Sequence, residues 1–129
     1  MSKVVTFVIP RQPPPSLNAM QRMHWAQRME IKDTWAEEIA VAAKEAGKPQ
    51  FKRAEVRLRL YYRTHRRRDA DNAIGGAGKV ILDALRKAGV IRDDHTDAIR
   101  LPEPVIAVDR ENPRVEIELR ELAEGRRAG

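Results

Sequence analysis

The chain has 129 residues, 42% of them hydrophobic and 34% charged, which fits one domain with its own core beneath a strongly solvated surface. It contains no cysteine, so disulfides, thiolate zinc sites and thiol nucleophiles are excluded, and any metal must sit on oxygen or histidine. The formal net charge of +6 favours a polyanionic partner, although ribosomal and membrane-surface proteins share that property.

No apolar run approaches the roughly 20 residues of a membrane span, and the opening stretch lacks the apolar core and cleavage site of a secretory signal. The expected location is the cytoplasm. Lys3 to Ile9 reads as a β-branched strand ended by Pro10, and Gln12 to Asn18 as a stiff proline-rich loop. Asn18 with Gln21 three positions on resembles a capping box. Ile31, Trp35, Ile39, Ala42, Ala43 and Ala46 then recur at helical spacing until Gly47 and Pro49 stop the helix. Near its start, Trp25 reads as core or interface rather than as a base-stacking group, with His24, Arg22 and Arg28 beside it.

From Glu55 the pattern alternates strictly. Val56, Leu58, Leu60 and Tyr62 share one face, and Arg57, Arg59, Tyr61 and Arg63 share the other. That basic face is either an ordinary solvated sheet surface or a phosphate-contacting one. A second helix is expected from about Gly78 to Ala88, with Gly89 as its stop. Two strands follow, Ile99 to Val108 and Arg114 to Leu119, with Pro102 and Pro104 placing the first at an edge or bulge. The order predicts an α+β domain over residues 1–120, with two main helices packed on a small mixed sheet of about four strands. Residues 121–129 are expected to form a flexible tail.

The segment His65-Arg66-Arg67-Arg68-Asp69-Ala70-Asp71-Asn72 sets two carboxylates against a basic run. In an extended stretch Asp69 and Asp71 point to one side and can aim hard oxygen ligands at one cation. Asp93 and Asp94 supply candidates for a third carboxylate, and Lys79 a positive charge. Together these are the parts a phosphodiesterase requires. The plain alternative is that Asp69 and Asp71 pair with neighbouring arginines and that Asp93-Asp94 is a turn. The run Gly75-Gly76-Ala77-Gly78-Lys79 lacks Walker spacing, since Val80 stands where Ser or Thr is needed. It reads as a hinge or helix lead-in, and no nucleotide cofactor is expected. None of the three histidines, His24, His65 and His95, has zinc-motif spacing.

The ordered set Arg67-Arg68-Asp69-Ala70-Asp71-Asn72, Lys79 to Leu85 and Ala88 to Asp94 resembles the signature of the RusA family of Holliday-junction resolvases. Pro15-Ser16-Leu17-Asn18 with His24-Trp25, and Val115 to Leu119, are similar to the family's two ends. The resemblance implies a homodimeric endodeoxyribonuclease acting on four-way junctions, with Mg²⁺ held by Asp69, Asp71 and Asp94 and with Lys79 needed for cleavage. Mn²⁺ is equally acceptable to such an oxygen-rich site. Asn72, Asp83 and Asp93 then play supporting roles, and Arg66, Arg67 and Arg68, with Arg57, Arg59 and Arg63, contact DNA. One departure stands out: Ala73 to Gly78 is longer and richer in glycine than in the family's best-known form. Either this stretch bulges and returns Lys79 to the site, or Arg68 substitutes for it. Loss of activity through the same stretch would leave a branched-DNA-binding protein of the same fold.

Overall fold

A computed structural model describes residues 3–66, 68–92 and 98–123. Strand β1 (Val4–Ile9) is followed by helices α1 (Leu17–Arg22) and α2 (Trp25–Glu45), then by β2 (Ala54–Tyr62). Helix α3 (Ala70–Ala73) runs through a π-helical turn (Ile74–Gly78) directly into α4 (Lys79–Lys87). Strands β3 (Ile99–Arg100), β4 (Val105–Val108) and β5 (Arg114–Glu121) complete the fold.

The protein is α+β, with one mixed five-stranded sheet. β5 lies between β1 and β2, antiparallel to both, while β3 and β4 pair parallel with β2 along its other edge. Parallel pairing requires a crossover, which the helical run from Ala70 to Lys87 supplies. The expected strand over Ile99 to Val108 is thus two strands in one line. Pro102 and Pro104 cannot donate to a ladder, and pairing lapses over Leu101 to Pro104.

The alternation in β2 and β5 puts Val56, Leu58 and Leu60 beside Val115, Ile117 and Leu119 on one buried face. Trp35, Ile39 and Ala43 of α2 and Val80, Ile81, Ala84 and Leu85 of α4 close over it as a single core. Each fully buried aliphatic side chain contributes about 1.5–3 kcal/mol, so this layer fixes where the helices sit.

Helix ends follow local chemistry. Gly47 and Gly89 take positive φ just past α2 and α4, as a left-handed stop requires, and Val90 N–H closes back on Leu85 O at 3.0 Å. The amino-terminal helix differs from expectation. The cap is Ser16, whose Oγ accepts from Ala19 N–H at 3.2 Å, two residues before the capping box read at Asn18. The helix then breaks at Met23, and His24 caps α2 through Nδ1, accepting from Ala26 N–H at 3.2 Å.

The outward face of β2 carries Arg57 and Arg59, and β5 sets Glu118 and Glu116 directly opposite them. Arg59 reaches Glu118 at 3.1 Å and Glu116 at 3.7 Å, Arg57 reaches Glu55, and Arg120 reaches Glu118. Arg114 lies over the Tyr61 ring and bonds Glu116 and Asp109. That hydrogen bond, with help from backbone N–H groups, holds the Asp109 carboxyl below the usual range. This face is a lattice of opposite charges rather than a free basic surface. No helix among the described residues is long and apolar enough to cross a membrane.

Candidate active site

Residues 63–69 carry the chain from the end of β2 to the start of α3. Arg63 N–H donates to Gln12 Oε1 at 3.2 Å, which pins the proline-rich loop to the strand end. Arg68 folds back over the turn and donates from Nη1 to Thr64 O at 3.0 Å and Arg66 O at 3.3 Å. Its guanidinium lies 3.6 Å from the centroid of the Tyr62 ring. Burial raises the pKa of the Tyr62 hydroxyl, and the Arg68 charge opposes that shift. The arginine is therefore held in place rather than sweeping through solvent.

Asp69 and Asp71 do not lie on an extended stretch. Asp69 is extended, but it is the N-cap of α3, and Asp71 is already in the first helical turn. Asp71 N–H donates to Asp69 Oδ1 at 2.9 Å, because the exposed donors of a helix start draw in a nearby carboxylate. The pair therefore meets by helix capping, and neither aspartate is in an ion pair with an arginine among the described residues. Asn72 faces α1, and its Oδ1 accepts from Asn18 N–H at 3.0 Å.

Asp69 and Asn72 line a cleft of about 930 Å³ with Tyr62, Arg66, Arg68 and Arg22, walled by Pro13 to Ser16. Arg22 enters from the end of α1. In sequence it stands far from the acidic cluster, and only its place in a basic helix start pointed to it.

The glycine-rich stretch is neither loop nor hinge. Lys79 N–H reaches Ile74 O, five residues back, so Ile74 to Gly78 forms a wide turn inside one continuous helix. Gly76 makes this possible. A Cβ there would stand 2.4 Å from Leu17 N and Pro15 O, so the α1 start packs directly on the helix backbone. The wide turn absorbs one residue. Lys79, eight positions after Asp71, behaves as if seven positions away, on nearly the same helix face about 10 Å along the axis. It lines a separate hollow of about 350 Å³ on the far side of Leu17. Asp83 pairs with Arg86 at 3.5 Å further along α4 and braces that helix. Arg67, Asp93 and Asp94 lie outside the described residues. Among the described residues no three acidic or histidine side chains gather as a metal site.

A small α+β domain that opens a helix with two aspartates, one of them lining an arginine-rich cleft, has the parts of a phosphodiester-handling protein. The family model described as endodeoxyribonuclease RusA matches residues 10–120, and the chain belongs to that family of endodeoxyribonucleases. No curated protein matches the chain.

Proposed function

We propose that the protein is a divalent-metal-dependent endonuclease that resolves four-way DNA junctions as a homodimer by paired, symmetric cuts. The observation that carries this reading is the acidic pair Asp69-Asp71 at a helix start, with Asp69 lining a cleft that also holds three arginines, in a chain of the RusA family. A twofold dimer presents two identical sites to a symmetric substrate.

The donor set fits Mg²⁺ or Mn²⁺. Asp69 commits Oδ1 to its cap, and among the described residues neither its Oδ2 nor the exposed Asp71 side chain has a hydrogen bond. We assign Asp94 as the third carboxylate. A bound metal supplies Lewis acidity toward the scissile phosphate and lowers the pKa of water beside it. The chain's own groups do the rest. Arg22, Arg66 and Arg68 hold the phosphates, and Arg68, fixed against Tyr62, places its charge where negative charge develops. Lys79 meets the strand further along the same helix face. Asn72 is a positioning residue, tying α1 and Arg22 to the helix that carries the aspartates. Asp93 joins the supporting group, and Asp83 braces the helix. Arg63 and Arg67 are assigned to phosphate contact as well. Arg57 and Arg59 are occupied by carboxylates, so they are set apart from this role. Such a substrate places the protein in the cytoplasm.

A synthetic four-way junction is expected to be nicked at symmetric positions when Mg²⁺ or Mn²⁺ is present and left intact in EDTA, as read on a denaturing gel. Junction binding with no cleavage in either metal would reduce the protein to a branched-DNA-binding relative of the family.

A further inference from the structure

Trp25 is 64% exposed, so it is not a core residue, and its indole stands beside the His24 ring with centroids 5.6 Å apart. Trp25, Arg28, Met29 and Lys32 recur at helical spacing and form one unpartnered face at the start of α2. That face borders the hollow of about 350 Å³, floored by Met20, Val80 and the backbone of Gly75 and Gly76. Its volume lies near the lower end of the roughly 300–1,000 Å³ typical of small-ligand pockets. Leu17, Trp25 and Met29 are three of the exposed large apolar residues, and all three meet here.

The charges around the hollow have one sign. Arg28, Lys32 and Lys79 line it, no carboxylate does, and none of the three is ion-paired among the described residues. An apolar, aromatic pocket rimmed only by cations matches a nucleotide, which joins a flat apolar base to an anionic phosphate. A second copy matches poorly, because a twofold contact would bring the three cations against themselves. The hollow also adjoins the cleft. Asn18 and Arg22 of α1 face the cleft while Leu17, Met20 and Gln21 face the hollow, so a strand leaving one passes over α1 into the other.

We propose that this hollow receives an unpaired base of the DNA beside the branch point, stacked on Trp25, with its flanking phosphates on Arg28, Lys32 and Lys79. The identity of the DNA rests on the nuclease reading above, but the binding chemistry does not. Base capture here holds the junction open on one side of the cleft.

The test uses the full chain in EDTA with a forked duplex carrying 2-aminopurine in its unpaired arm. Binding is expected to quench the 2-aminopurine. Trp25→Ala should abolish the quench and weaken fork binding roughly tenfold or more, while binding of continuous duplex changes less than about twofold. Trp25→Phe should keep most of both signals, and an unchanged thermal midpoint shows that Trp25→Ala is folded. Wild-type fork affinity in folded Trp25→Ala would overturn the proposal. So would its conversion from dimer to monomer in sedimentation, which would make the hollow a subunit contact. Every readout is metal-free. A protein that captures the fork through Trp25 yet never cuts it would therefore sink the nuclease reading and leave the hollow standing.

Discussion

Asp71→Asn is expected to lower junction cleavage by about three orders of magnitude, since a metal's charge stabilisation is worth several kcal/mol and each 1.36 kcal/mol is tenfold in rate. Junction affinity should hold or rise, because the change removes negative charge near phosphate. The exposed Asp71 side chain caps no helix among the described residues, so the near-isosteric amide should leave the thermal midpoint in place. Asp69→Ala should behave differently. It loses the acceptor for Asp71 N–H as well as a ligand, and about 1 kcal/mol of stability goes with the cleavage. Undiminished cleavage by Asp71→Asn would remove the acidic pair from the mechanism. Mixed dimers refine the same experiment. If each site takes the acidic pair from one copy and Asp94 from its partner, one intact site survives in a mixed dimer. Asp71→Asn and Asp94→Asn chains, each inactive, should then regain part of the activity when mixed. No recovery in confirmed heterodimers would argue for sites contained in one subunit.

The second large effect concerns three glycines within one helix, whose replacement by alanine should give three different results. Gly76→Ala puts a methyl 2.4 Å from the backbone of Pro15 to Leu17, where no flexible side chain can yield. Overpacking of this kind costs about 1–3 kcal/mol or more, and the thermal midpoint should fall by several degrees. Cleavage should fall too, because α1 carries Arg22 and bonds Asn72. Gly75→Ala meets only the Leu17 side chain, at 3.0 Å from Cδ2, and should be close to neutral. Gly78→Ala finds ordinary contacts from 3.6 Å outward and should stabilise by about 0.5–1 kcal/mol through helix propensity. Thermal melts of the three variants decide the matter. Equal effects would mean that α1 does not press on the helix at Gly76.

These sites differ in how far the sequence disclosed them. The alternation of β2 and β5 and the apolar stripes of α2 and α4 were legible because burial writes its own period into a chain. Pro102 and Pro104 likewise announced an interrupted edge. The pairing of Arg57 and Arg59 with Glu118 and Glu116 was not legible, since alternation shows which residues share a face and not which strand lies beside it. The acidic pair was legible by residue type but not by geometry: a helix begins at Ala70, earlier than apolar spacing could reveal, because its first turns pack through small residues. The wide turn and the exposure of Trp25 depend on where α1 rests. No local pattern encodes that contact.

The charge lattice on the sheet has a further effect, on the path by which DNA arrives. Its four arginines, Arg57, Arg59, Arg114 and Arg120, are matched by Glu55, Asp109, Glu116 and Glu118, so the whole net charge of +6 belongs to the remainder of the molecule. The field is lopsided: this strip of β2 and β5 is close to neutral, and the positive excess lies outside it. A polyanion drifting nearby exerts a torque that turns the sheet away before contact, which raises the fraction of productive collisions. Reversing Glu116 and Glu118 to lysine would flood the sheet face with positive charge and draw DNA to the wrong side.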